Sequence, residues 1–188
     1  MAIGLTCRIA AAQQVQVTLN PADTQIAISV HDVHGEVHGS FKLKSGSVLF
    51  DRANGSASGE IVVDAASGVT GNSTRDHKMN HDVLESQRYP DIIFAPTKIT
   101  GEVLALGNSN IQVQGMFRIH GTSHEITLAM PVQISGEKLA ATTTFVVPYE
   151  SWGMKNPSLL FLRVDGKAEV SIKTTGRIVL MNGGKSIP

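Results

Sequence analysis

GNSTRDHKMNHDVLESQRYPDIIF, residues Gly71 to Phe94, is the one stretch of this 188-residue chain that reads as a helix. Ser73 followed by Asp76 has the form of a capping box, and Met79 and Val83 fall four apart, one turn further along the same face. Pro90 stops the segment, and Asp91-Ile92-Ile93-Phe94 begins an extended run. On either side, apolar residues recur at every second position between clusters of Gly, Asn and Ser. The spacing predicts one capped helix inside an otherwise β chain.

Upstream, Val15, Val17 and Leu19 alternate, then Ile26, Ile28 and Val30, with Asn20-Pro21 between them. Val37, Phe41 and Leu43 continue with Ser40, Lys42 and Lys44 opposite, and Val48 and Phe50 follow across Ser45-Gly46. Asn54-Gly55 is a hairpin signal, and Glu60 to Asp64 supplies the next strand. Downstream, Ile92 and Phe94 share a face, as do Ile111, Val113, Phe117 and Ile119. Ile126, Leu128, Met130, Val132 and Ile134 give the cleanest alternation. Leu139 to Val147, Leu160 to Val164 and Ala168 to Ile172 complete the set. Period two with one apolar face marks a strand with one wet side. Eight to ten such strands predict a sandwich or an up-and-down barrel, and closure would remove the exposed edges of a long antiparallel sheet. The inward faces place Phe41, Phe50, Phe94, Phe117, Leu128, Met130 and Phe145 around one apolar space, with Trp152 near one end.

Length and composition limit the rest. A chain of 188 residues and 20.0 kDa suits one buried core. Sixteen basic residues balance sixteen acidic ones, which favours neither nucleic acid nor an anionic membrane surface. No apolar run approaches the length of a spanning helix. Cys7 is the single cysteine, so no internal disulfide forms. Residues 1–14 read as a tail or the remnant of a secretory signal, with Ala10-x-Ala12 before Gln13 as the cleavage pattern but no basic start. The barrel is expected over 15–175 and a C-terminal tail over 176–188. A periplasmic or secreted location follows from the signal reading, a cytoplasmic one from the tail reading.

Histidine is the tempting polar feature. His77, His81 and Glu85 lie four apart on the predicted helix, the spacing that brings two imidazoles and a carboxylate to one metal. His31, His34 and His38 cluster before the third strand, and His120 and His124 flank a turn. No three of them are forced together by spacing, and solvated histidines are the expectation. No nucleophile elbow occurs, and Gly184-Lys185-Ser186 lacks the earlier glycine of a phosphate loop, since Val179 stands there. Asp76 suits the positive end of a helix, whereas Arg75 either pairs locally with a carboxylate or meets a polar head group. Trp152 sits in the irregular run Trp152 to Ser158, where it packs over the core or lies across an open barrel end.

The pattern Thr70-Gly71, Arg75-Asp76, Met79, Leu84, Tyr89-Pro90, Ile92 and Phe94 resembles the signature of the YceI-like family of lipid and polyisoprenoid binding proteins. Phe50-Asp51, Val63 to Ser67, Gly115 to Gly121, Ala141 to Phe145 and Trp152 to Met154 extend the resemblance over about residues 18–174. It implies an all-β, antiparallel, lipocalin-like barrel of about eight strands with one short α-helix in a connection. It also implies a binding protein and not an enzyme. The ligand would be an elongated apolar molecule: an isoprenoid chain such as a quinone tail or prenyl phosphate, or a fatty-acyl compound. Its expected contacts are Phe41, Phe50, Arg75, Met79, Phe94, Phe117, Leu128, Met130, Phe145 and Trp152. No cofactor, metal, nucleic acid or integral membrane segment is expected, and a homodimer is compatible with the sequence. Two alternatives stand beside this reading: a metal- or haem-binding barrel using the histidines, and a structural or interaction barrel with a filled core.

Overall fold

The computed structural model of the chain describes residues 14–158, 163–182 and 185–186. Among these, ten strands form: β1 (Gln14–Leu19), β2 (Gln25–Asp32), β3 (Gly35–Asp51), β4 (Ala57–Val69), β5 (Asp91–Thr100), β6 (Gly107–Ile119), β7 (Thr122–Ser135), β8 (Lys138–Val147), β9 (Ala168–Asn182) and β10 (Lys185–Ser186). From β2 to β9 each strand pairs antiparallel with the next, and β2 also pairs with β9, so the sheet closes on itself. The fold is therefore all-β, a closed antiparallel barrel of eight staves with one short helix between β4 and β5. β1 is not a ninth stave. It fills the same gap between β3 and β9 as β2 does, displaced along the barrel. The turn Pro21–Asp23 joins the two, held by the Asn20 side chain, whose carbonyl oxygen accepts from the Ala22 N–H at 3.1 Å.

This seam moves a boundary. β9 runs to Asn182, and the pairs from Leu19 with Gly176 to Gln14 with Met181 make 176–181 part of the barrel wall. The tail expected from 176 is thus a strand, because β1 needs a partner on that side. Residues 1–13 lie outside the described residues. So do Leu160 and Leu162 of the strand expected at 160–164, while Val164 makes a single bridge to Asp32.

Local chemistry explains the turns and kinks. His120 and Gly121 both have positive φ, 50° and 76°, which is what a two-residue turn between twisted strands requires. On β3 the inward positions are odd up to Leu43 and even from Gly46, because a bulge between Leu43 and Ser45 shifts the register against β4. Ser67 stabilises the neighbouring irregularity: its Oγ accepts from the Lys42 N–H at 2.8 Å and donates to the Asp64 carbonyl at 2.6 Å.

The helix differs from its sequence reading in two ways. α1 (Ser73–Lys78) is capped by Asn72, whose Oδ1 accepts from the Arg75 N–H at 3.1 Å, so Ser73 is already helical and the Ser73–Asp76 box does not form. Asp76 is engaged elsewhere, accepting from both the N–H and the hydroxyl of Thr70 at 2.7 and 2.5 Å. Beyond Lys78 the turns widen into a π-helix, Met79–Val83, with the Leu84 N–H on the Met79 carbonyl at 2.9 Å. Glu85, at φ 45°, then ends the segment in the left-handed conformation.

Candidate ligand-binding cavity

The barrel interior is divided along its length. At the end away from α1 it is filled: Ile111, Val113, Leu128, Val132, Ile134 and Ala141 are buried in one cluster. The Phe94 ring lies against Gly115, where an added Cβ would stand 2.8 Å from it. Towards α1 the same interior holds a cavity of about 480 Å³. That is within the ordinary range for small-molecule sites. At the ~30 Å³ that a water-sized group occupies, it has room for roughly sixteen such groups.

Three neighbouring strands form one wall. Ile28 of β2, Val170 of β9 and Phe145 of β8 stand opposite one another in register and all face the cavity. Ile26 and Ile172 form the next row, Val30 and Ala168 flank the wall, and Phe117 and Ile119 of β6 lie on another side. The floor of the helical segment supplies Met79, Val83 and Leu84. Because the π turn carries more than four residues per turn, Met79 and Val83 share a face, and that face is inward. Gly68 makes this approach possible: a Cβ there would fall 2.6 Å from Met79 Cε and 2.7 Å from Phe41 Cε1. The Asn80 amide fixes the segment further, donating to the Gly68 carbonyl at 3.0 Å.

Polar groups gather at the α1 end. Asp32, Thr70, Asn72, Thr74, Arg75 and Lys78 line the cavity there. The Arg75 Nε donates to the Thr70 hydroxyl at 2.8 Å, and that hydroxyl in turn donates to Asp76, so the guanidinium is held by a relay of side chains. Of the two roles open to Arg75 in the sequence, pairing with a local carboxylate is absent among the described residues. On the loop after β8, Tyr149 faces the cavity and its hydroxyl donates to the Asp165 carbonyl at 2.5 Å. Burial, then the charges of Glu150 and Asp165, push its phenol up to about 12.

Of the ten residues expected at the ligand, Phe41, Arg75, Met79, Phe117 and Phe145 line this cavity. Phe94, Leu128 and Met130 belong to the packed part, Phe50 is buried further along β3 against β1, and Trp152 stacks on His124 at 3.9 Å and 7°. The aliphatic wall from β2 and β9 went unassigned although its alternation was plain. Bulk and aromaticity mark Phe41, Phe117 and Phe145 at the cavity and equally Phe50, Phe94 and Trp152, which lie outside it and fill space.

The histidines disperse. His77 and His81 stack at 5.3 Å on the outer face of the helix, and His81 Nδ1 lies 2.8 Å from Asp82, which holds that carboxyl below its usual range. Glu85, turned away by its left-handed backbone, stands instead 3.3 Å from His120. Among the described residues no group of three or more His, Cys, Asp or Glu could hold a metal ion. No described helix is long and apolar enough to cross a membrane.

A closed eight-stranded antiparallel barrel, packed at one end and apolar and hollow at the other, has the architecture of the lipocalin-like barrels, whose interior can hold one small ligand. The family model of the YceI-like domain matches residues 17–176, and the chain belongs to that family. No curated protein sequence matches it. Among solved structures, Burkholderia cenocepacia BcnA is similar at 15% identity and a TM-score of 0.66, over 84% of this chain and 98% of that one. A polyisoprenoid binding domain from Saccharophagus degradans, implicated in plant cell wall breakdown, gives 16% identity and a TM-score of 0.65, over 86% and 97%. The Campylobacter jejuni YceI protein gives 18% and 0.51, over 74% and 80%. At these identities the likeness is one of fold.

Proposed function

We propose that the protein binds an elongated apolar molecule inside the barrel and acts as a carrier or reservoir without catalysis. The observation that carries the reading is the cavity of about 480 Å³ whose walls are almost wholly aliphatic and aromatic. Its size corresponds to about fifteen carbons at ~30 Å³ each, the carbon content of three isoprene units or of a common fatty-acyl chain. Each methylene withdrawn from water contributes on the order of 0.8 kcal/mol, so a filled cavity contributes about 12 kcal/mol against association and ordering costs of roughly 4 to 15 kcal/mol. The similar fold of the polyisoprenoid binding domain from S. degradans supports an isoprenoid as occupant. A periplasmic or secreted location belongs to the same proposal and rests on the Ala10-x-Ala12 pattern.

Native mass spectrometry of the protein purified from its own host tests this. The expected result is one apolar molecule per chain, released on denaturation and identified by its mass. A protein that carries nothing, and that takes up none of farnesol, farnesyl phosphate, hexadecanamide and hexadecanoic acid when offered them, overturns the reading.

A further inference from the structure

The barrel wall is not closed equally all round. β6 and β7 pair continuously from Gly107 with Ile134 to Ile119 with Thr122, and β8 and β9 from Lys138 with Arg177 to Val147 with Ala168. Between these two pairs, β7 and β8 match only from Ser135 with Lys138 to Val132 with Ala141. Thr122 to Pro131 and Thr142 to Val147 then run on without a ladder pair across the seam. Pro131 stands where the ladder stops. The Ala129 carbonyl faces β8, since it accepts from the Thr143 hydroxyl at 2.9 Å, and by alternation the Pro131 nitrogen faces the same way, with no N–H to make the next rung. The β4–β5 ladder is also short, but Ser56 with Lys98 and the Ile99 N–H on the Gly55 carbonyl at 2.8 Å join it again.

This seam lies beside the cavity, and side chains close it. Phe117 of β6 and Phe145 of β8 flank it, edge to face at 5.8 Å, and both line the cavity. No described residue of β7 does. Trp152 stands between: its ring lies 5.9 Å from Phe117 and stacks flat on His124, the β7 residue opposite Phe117. His124 Nε2 is buried without a hydrogen-bond partner among the described residues. The turn that carries Trp152 is bonded to itself, by the Trp152 N–H on the Pro148 carbonyl and the Met154 N–H on the Tyr149 carbonyl, and to the far side, by the Glu150 N–H on the Gly166 carbonyl at 3.1 Å. None of these bonds reaches β7. Parting β7 from β8 at this height therefore breaks ring contacts and the Thr143 hydrogen bond, whereas parting β6 from β7 or β8 from β9 breaks a continuous backbone ladder.

We propose that the seam between β7 and β8 is a side door, closed by Trp152, through which the apolar chain enters and leaves the cavity. This inference rests on the carrier reading and adds a route to it. The chain passes sideways between two staves and along aromatic rings, and it does not cross the polar rim of Asp32, Arg75 and Lys78 at the α1 end.

Release rates test it. Farnesol, or whichever of farnesyl phosphate, hexadecanamide and hexadecanoic acid binds more tightly, is tritiated, bound and released into an excess of phosphatidylcholine vesicles. Continued in register, the β7–β8 ladder would set Ala129 opposite Thr144, both exposed on the outer face. Ala129→Cys with Thr144→Cys, in a Cys7→Ser background that removes the single native thiol, therefore locks the seam on oxidation, with the crosslink verified by mass. The locked protein should release the probe on the order of 10-fold more slowly than the same protein reduced, at unchanged equilibrium affinity, because a gate sets rates and not the bound state. Trp152→Ala should release it about 3- to 10-fold faster, the effect of losing one aromatic pair. Thr143→Val, which takes away only the hydroxyl link, should act in the same direction if Trp152→Ala folds poorly. A locked protein that releases as fast as the reduced one, or opened variants that release no faster than the unaltered chain, overturns the door and sends the chain out by the α1 end. The carrier reading then stands, since the probe still binds. A protein that binds none of the four probes removes both.

Discussion

Val170→Trp separates a hollow barrel from a filled one. Val170 lies between Ile28 and Phe145, and all three side chains face the cavity. Tryptophan adds about seven heavy atoms to valine, fewer than half of the roughly sixteen water-sized groups that the cavity holds. More than half of the cavity of about 480 Å³ is left. Six or seven chain carbons lose their place, worth at most about 5 kcal/mol at 0.8 kcal/mol each, so a 100-fold weaker binding of farnesol is a conservative expectation. Stability should hold within about 1 kcal/mol, since the ring enters empty space. Leu128→Trp is the control in the packed half. Overpacking there costs roughly 1 to 3 kcal/mol, which lowers the thermal midpoint by about 2 to 12 °C in a chain of this size. Thermal denaturation and farnesol titration of both variants give the answer. If Val170→Trp loses as much stability as Leu128→Trp, the space is not open; if it binds farnesol normally, the chain lies elsewhere.

Three further outcomes follow from particular contacts. Asn72→Ala should cost about 1 kcal/mol in chemical denaturation, the usual worth of a helix cap, whereas Ser73→Ala should stay within about 0.5; the reverse order would restore Ser73 as the cap. The Tyr149 phenol titrates near pH 10 when unfolded and at about 12 when folded. The folded state therefore keeps this proton longer, and its contribution to stability is lost as pH rises from 10 to 12. Tyr149→Phe should make the decline of the thermal midpoint across that window shallower, and an unchanged slope would refute the assignment. Ending the chain after Thr175 strips β1 of its β9 partner from Gly176 to Met181. The midpoint should fall by on the order of 10 °C, and a truncated chain as stable as the full one would show that the seam is dispensable.

The family motifs gain a physical meaning from the same contacts. Thr70, Arg75 and Asp76 form one bonded relay, and Ser67 with Asp64 stitches β4 to the kink in β3. Tyr89 lies over Gly121, where a Cβ would come within 2.6 Å of its ring. None of these pairings is visible as a pattern of apolar spacing, since each joins polar groups across a turn or between strands. The helix cap shows the same limit. Ser73 and Asp76 had the right spacing for a reciprocal box, but Thr70 captured the Asp76 carboxylate, and the neighbouring asparagine was left to cap.

Alternation of period two determined that the chain is β, that its strands are antiparallel neighbours with one wet face, and which side chains point inward. On β6 and β7 the inward positions are correct almost residue by residue. What alternation cannot carry is height along the barrel axis. Leu128 and Phe117 both point inward, yet one is buried among packed aliphatics and the other borders the cavity. That difference is set by strand stagger, by the bulge at Leu43 and Ser45, and by where the π turn lays Met79 and Val83 across the end. These are relations between distant segments. A local period records the face a residue takes, and only closure of the barrel decides whether that face meets another side chain or open space.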